Sequence, residues 1–187
     1  MGAGLFHLSR LAGEAKSYAE RLFTFPVIGR LSEREAALAL TTPAEEREVS
    51  IDRRAVEAVV TYTEGYPYFL QEYGKELWDR AAGSPITAQE SVETQAVVEA
   101  KLDGNFFRVR IERATDREIR YLRAMAELGP DPQRAGDVAT LLGGSSAQWG
   151  TTRARLIDKG LLYPSDYGFA AFTVPQFDRY MRRTYAR

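Results

Sequence analysis

The chain has 187 residues, 44% of them hydrophobic and 27% charged, with a net charge of −1; these are the proportions of an ordinary globular protein with one large or two small domains. The absence of cysteine excludes disulfides and cysteine-ligated metal, and His7 is the one histidine, so we expect no metal site and no catalytic residues. No apolar run approaches the ~20 residues of a membrane span, and the N-terminus lacks a signal-peptide pattern, so we expect a cytoplasmic protein without membrane contact.

The first predicted domain is a helical bundle over residues 31–105, which follows a connecting segment over residues 1–30. Capping boxes at Ser32–Glu35 and Thr87–Glu90 and an N-cap at Asp52 predict where helices start. Proline- and glycine-containing breaks separate the predicted helices, which cover residues 33–42, 53–64, 67–82 and 87–103. The residues predicted to form the core are Leu38, Val56, Val59, Val60, Phe69, Leu70, Tyr73, Leu77, Trp78 and Val97.

The stretch "DGNFFRVRIERA" at 103–114 follows the bundle. Val109 and Ile111 alternate with Arg108 and Arg110, which fits either a short strand or a basic connector. We place the domain boundary here.

The second predicted domain, residues 106–187, has the rhythm of a winged helix-turn-helix. Helices are predicted at 116–128, 135–142 and 146–159, strands at 161–163 and 170–174, and a closing helix after Pro175. The turn at Gly143-Gly144 between the second and third helices is typical of the helix-turn-helix, and the two strands form a small wing. The apolar residues expected in its core are Ile119, Leu122, Met125, Ala126, Val138, Leu141 and Leu142.

The third helix of a winged helix enters the major groove of DNA, so its polar residues are candidate DNA contacts. Gln can bridge adenine, Arg can bridge guanine, and Ser, Thr and Lys can bind phosphate. The alternative is that these side chains form an ordinary solvated face. The candidate residues, including a tyrosine at the wing tip, are Ser146, Gln148, Thr151, Thr152, Arg153, Arg155, Lys159 and Tyr167.

Charge is unequal between the two predicted domains. Residues 1–105 carry 11 Lys or Arg against 17 Asp or Glu, whereas residues 106–187 carry 14 against 9. The C-terminal part therefore attracts phosphate, although a surplus of this size permits nucleic-acid binding without requiring it.

Several stretches together resemble the C-terminal part of a bacterial family of AAA+/STAND-type P-loop ATPases, relatives of the archaeal ATPases and origin-recognition initiators. The resemblance implies that residues 1–30 are a remnant of, or linker from, the ATPase core and that residues 31–103 are the helical ATPase lid. It also implies that Gly65 and Pro67 match the Gly-x-Pro motif that touches nucleotide. The local alternative is a plain helical corner. The stretches are "GAGL" at 2–5, "GEAKSYAERLFTFPVIGRL" at 13–31, "TEGYPYFLQEYGKELWD" at 63–79, "YLRAMAELGP" at 121–130, "RARLIDKGLLY" at 153–163 and "AFTVPQFDRYMRR" at 171–183.

This sequence lacks three motifs of that family. They are the phosphate-binding loop, the acidic strand that holds Mg²⁺, and the second-sensor arginine beside the Gly-x-Pro corner. ATP and Mg²⁺ are therefore implied only for a full-length parent, and we expect no cofactor in this chain. Three interpretations of the chain fit this pattern: a fragment, a truncated gene product or a stand-alone descendant of the family.

Two functions follow as hypotheses. The first is a non-catalytic DNA-binding or regulatory module that binds double-stranded DNA. The second is a protein-interaction or assembly module whose winged helix docks on an ATPase core or another protein partner.

Overall fold

The structure, a computed structural model, describes residues 29–185. The predicted connecting segment 1–30, with His7 and the "GAGL" stretch, lies outside the described residues except for Gly29 and Arg30. The described chain divides into two compact units. One unit consists of residues 29–115 together with 175–185, and the other of residues 116–174.

The first unit is the predicted helical bundle. Both of its predicted capping boxes are present, at Ser32–Glu35 and Thr87–Glu90. Asp52 occupies its predicted N-cap position but makes no side-chain capping bond. A parallel bridge between Ile51 and Ile86 ties the two interhelical connections together. The helices are α1 (Glu33–Glu45), α2 (Arg53–Thr63), α3 (Pro67–Arg80) and α4 (Ala88–Leu102).

The stretch after α4 is helical, so the short strand offered as one alternative for residues 103–114 is wrong. A π-helical turn (Asp103–Phe107) leads into the short helix α5 (Arg108–Ile111). Phe106, Phe107 and Ile111 are buried on one side of this helical path, while Val109 is 54% exposed. The alternation of apolar and basic residues suggested a strand, in which Val109 would be buried. The adjacent phenylalanine pair packs on the bundle instead.

The last helix, α9 (Phe177–Thr184), packs with the bundle. The Phe107 ring lies 5.7 Å from that of Phe177 and stacks on Tyr180 at 5.1 Å between ring centroids. Gln176 donates a hydrogen bond to the carbonyl oxygen of Tyr62. The structural unit therefore differs from the predicted 106–187 domain, because aromatic packing returns both of its ends to the bundle.

The second unit is a winged helix. Its order is α6 (Asp116–Leu128), β1 (Gln133–Arg134), α7 (Ala135–Leu141), α8 (Ser146–Asp158), β2 (Leu162–Asp166) and β3 (Phe169–Phe172). The strands form an antiparallel sheet in the order β1-β3-β2, with Gln133 opposite Ala170 and Leu162 opposite Phe172. The two-residue strand β1 was not predicted. The fold class is otherwise confirmed: a mainly helical chain in which a helical bundle precedes a winged helix with a small wing.

Most predicted core residues are buried, but Ile119 and Leu142 are half-buried and three others are exposed. Leu38 is 51% exposed, Trp78 40% and Leu141 46%, so these predictions are wrong. Val97 is half-buried while its neighbour Val98 is fully buried. Sequence periodicity identifies an apolar face, but its exact centre is set by the neighbouring helices.

Candidate nucleic-acid interface

Helix α8 divides into a buried and an exposed face. Trp149, Thr152 and Leu156 are buried in the winged helix. Three of the predicted DNA-contacting residues, Ser146, Thr151 and Arg155, are exposed on the rest of the helix. They share that surface with the small residues Ala147, Gly150 and Ala154. The exposed face therefore presents two hydroxyls and one guanidinium among small residues, together with the amide of Gln148 and the carboxylate of Asp158.

Gln148 is also exposed, but its side chain serves the helix end. Its Oε1 accepts a hydrogen bond from the backbone N–H of Ser145 at 2.8 Å, the capping arrangement at the third position of a helix. The same side chain remains next to the helix-turn-helix corner, where its amide nitrogen can still donate a bond.

Three other predicted contacts hold the winged helix together. Thr152 is 5% exposed, and its hydroxyl accepts a bond from Arg117 Nε at 3.1 Å. Arg153 Nη2 donates to the carbonyl oxygen of Phe169 in the wing at 2.7 Å. Lys159 Nζ lies 2.6 Å from Oε2 of the buried Glu118. We therefore leave these three residues out of the proposed interface.

The wing tip projects Tyr167. Its side chain is 98% exposed, and the turn closes at Gly168, whose φ of +78° lies in the left-handed region that favours glycine. The backbone N–H of Tyr167 donates to Asp166 Oδ1 at 2.6 Å, and Gly168 accepts a bond from Ala135 N at 2.9 Å. These hydrogen bonds hold the backbone of the wing turn in place, while the Tyr167 side chain is exposed at its tip.

Electrostatically, the winged-helix unit is neutral. Residues 116–174 contain seven Lys or Arg and seven Asp or Glu. The surplus of the C-terminal part lies instead in residues 106–115 and 175–187, of which the described residues pack with the bundle. Any attraction of the winged helix to phosphate must therefore come from local side chains rather than from its net charge.

Arg117 is a central residue that the sequence reasoning missed. Besides its bond to Thr152, it donates from Nη2 to the carbonyl oxygen of Gln148 at 2.8 Å. Its guanidinium carbon lies 4.2 Å from the ring centroid of Trp149, a cation–π contact. These partners lie more than thirty residues away along the chain, so no local signal pointed to it.

In the bundle, the backbone geometry explains why position 65 is a glycine. Its φ is +67°, and its carbonyl oxygen accepts a bond from Leu31 N at 2.8 Å. A Cβ at this position would collide with the backbone oxygen of Leu31. Pro67 is the first residue of α3 and, with Leu31 and Trp78, lines a groove of about 440 Å³. The predicted nucleotide contact of Gly65 and Pro67 stays a prediction.

Within residues 29–185, no three His, Cys, Asp or Glu side chains gather as metal ligands would. None of the helices described has both the length and the apolar character needed to cross a bilayer.

Comparisons with known proteins give one family match and several structural neighbours. A family model described as a domain of unknown function (DUF8462) matches residues 104–181, from the π-helical turn through the winged helix into α9. No curated protein matches the chain.

Several solved structures of RuvB from Thermotoga maritima are similar to this chain. The chain is similar to a lysine-to-arginine mutant of RuvB with 16% identity and a TM-score of 0.44, over 92% of this chain and 55% of that one. For the RuvB Holliday junction branch migration motor, the identity is 17% and the TM-score 0.40, over 86% of this chain and 51% of that one. The chain spans about half the length of these neighbours.

Proposed function

We propose that the chain is a non-catalytic DNA-binding or regulatory module, the lid and winged-helix part of an AAA+/STAND-type ATPase. The observation that carries the DNA-binding proposal is the exposure of Ser146, Thr151 and Arg155 on α8 together with Tyr167 at the wing tip. The assignment to an ATPase lid rests on the sequence resemblance, and it agrees with a helical bundle that precedes a winged helix.

In this proposal, α8 enters the major groove with its N-terminal part towards the base edges. Ser146 and Thr151 bind phosphate or base edges, and Arg155 binds phosphate or guanine. Tyr167 reaches sugar or the neighbouring minor groove. Because the unit is neutral, few phosphates are neutralised, so the binding constant should depend on salt with a slope of only about −1 to −3 on logarithmic axes.

The test is fluorescence anisotropy of a labelled mixed-sequence duplex, in a salt series from about 50 to 200 mM. We expect Arg155→Ala to weaken binding and to flatten the salt slope by about one unit. The matched control is Arg53→Ala, since Arg53 is an arginine on α2 whose side chain is 90% exposed. Equal behaviour of the two variants, or no duplex binding at the lowest salt, would refute the proposal.

The neutral charge favours a second candidate. The small exposed residues Ala147, Gly150 and Ala154 let another protein backbone approach α8 closely, and a neutral unit suits a protein surface as well as DNA. In this case the module docks on an ATPase core or another protein partner. Gly150→Arg should then abolish the association of the chain with that core or partner, measured by analytical ultracentrifugation. Duplex binding should be absent in both the parent and the variant.

A further inference from the structure

A pocket lies at the corner of the helix-turn-helix, beside the exposed face of α8. Its volume is about 410 Å³. Of its lining residues, all within the described part of the chain, Arg117 alone carries a charge. The lining residues are Arg117, Leu142, Gly143, Gly144, Gln148 and Trp149.

A hydrogen-bond donor on a buried side chain, the indole N–H of Trp149, faces this pocket. Trp149 is only 6% exposed, yet its indole N–H makes no hydrogen bond within residues 29–185. A Cβ built on Gly144 would lie 3.1 Å from that indole nitrogen and 2.6 Å from Gln148 Oε1. The missing side chain at Gly144 therefore leaves the indole N–H accessible from the pocket. The packed ring thus presents one fixed donor, without an acceptor among the described residues, to a ligand in the pocket.

The other donors around the pocket are fixed in place. Arg117 is held by its bonds to Thr152 and Gln148 and by its position over the Trp149 ring, which leaves further guanidinium N–H groups for a ligand. The N-terminus of the 13-residue helix α8 also lies at this corner. The Gln148 amide already donates to the carbonyl oxygen of Ser145 at 3.1 Å, so this N-terminus contributes mainly the positive end of the helix dipole.

From this geometry we propose that the pocket binds a phosphate group of the DNA backbone, held by the Trp149 indole N–H and the Arg117 guanidinium. The proposal rests on the proposed function and adds to it a defined anchor. A backbone phosphate in this pocket fixes the helix-turn-helix corner on the duplex beside α8. This neutral unit thereby gains a concentrated positive site that its net charge does not reveal.

The experiment follows the two tryptophan indole resonances of the ¹⁵N-labelled intact chain by NMR. Duplex DNA and inorganic phosphate are added in separate titrations. The Trp149 resonance should shift in both, whereas that of Trp78, which is 40% exposed on α3, should not move and serves as an internal control. Trp149→Phe assigns the two signals.

Gly144→Ala is the matched perturbation, because its methyl group crowds the indole N–H without requiring a left-handed backbone. The methyl group also displaces Gln148 Oε1 from its bond to Ser145 N, so Gln148→Ala is the control for that lost bond. We expect the apparent affinity for duplex and phosphate to fall at least about tenfold, the effect of losing one hydrogen bond to a charged group. The control is Gly136→Ala, since a Cβ there meets no atom within 4 Å. The remaining amide resonances verify that these variants are folded.

The outcomes separate the pocket from the proposed function. Duplex binding that leaves the Trp149 resonance unmoved overturns the pocket proposal while the DNA-binding function stands. A Trp149 shift with inorganic phosphate but no duplex binding retains the phosphate chemistry, overturns its assignment to the DNA backbone, and refutes the proposed function. A shift of Trp149 in both titrations, lost in Gly144→Ala and kept in Gly136→Ala, supports the proposal.

Discussion

Substitution of Gly65 by alanine should destabilise the bundle strongly. The backbone of Gly65 is left-handed, at φ +67°, and its carbonyl oxygen holds Leu31 N at 2.8 Å. An L-residue in this conformation costs about 1 to 2 kcal/mol. The new Cβ would also collide with the Leu31 backbone oxygen, and moving Leu31 away sacrifices a hydrogen bond of about 1 kcal/mol.

The expected loss in free energy of unfolding is therefore about 2 to 4 kcal/mol, with a fall in the bundle's Tm of about 10 °C or more. Urea and thermal unfolding, followed by circular dichroism on the intact chain, measure both. Gly143→Ala is the matched control, because Gly143 has a similar φ of +72° but a Cβ there meets no atom within 4 Å. A loss for Gly65→Ala no larger than that for Gly143→Ala would refute the collision with Leu31.

Three further predictions concern polar contacts. Arg117→Ala should lower the free energy of unfolding of the winged helix by about 1 to 3 kcal/mol in urea titrations, because two hydrogen bonds and a cation–π contact are lost; Arg120→Ala, 5.9 Å from the same ring, should cost much less. Glu118→Ala should cost about 2 to 3 kcal/mol, since Glu118 is 2% exposed and paired with Lys159, and a double-mutant cycle with Lys159→Ala should show coupling. The hydrogen bond from Lys101 lowers the pKa of Glu76 below its ordinary 4.5. The stability that this bond contributes is present above about pH 4.5 and is lost as the pH falls through the lowered pKa. Glu76→Gln should therefore flatten the acid side of a curve of unfolding free energy against pH.

Local signals predicted most of the fold. The starts of α1 and α4 follow from capping boxes at Ser32 and Thr87, and Pro67 marks the start of α3, because these signals act within one helical turn. The end of α1 was placed too early, since Pro43 lies inside the last turn of the helix. A proline there removes only one helical hydrogen bond, that from its own nitrogen to the carbonyl of Ala39, so the helix continues for one further half-turn.

Long-range packing sets the features that local sequence signals did not predict, namely the position of α9 and the partner of Arg153. Helix α9 was recognised as a helix, but its place on the bundle depends on Phe107, 70 or more residues away in sequence. In the candidate interface, the spacing on α8 predicted the exposed Ser146, Thr151 and Arg155. It did not predict that Arg153 binds the wing backbone, because that acceptor is reached only after the chain has folded.

In the proposed complex, α8 and the wing contact duplex DNA. The most direct measurement is ultraviolet crosslinking of the intact chain to a duplex carrying 5-bromouracil, followed by mass-spectrometric mapping of the crosslinked peptides. We expect crosslinks within residues 146–155 and at Tyr167, and their loss in competition with unlabelled duplex. Crosslinks confined to the bundle, or none above those of a non-binding control protein, would contradict it.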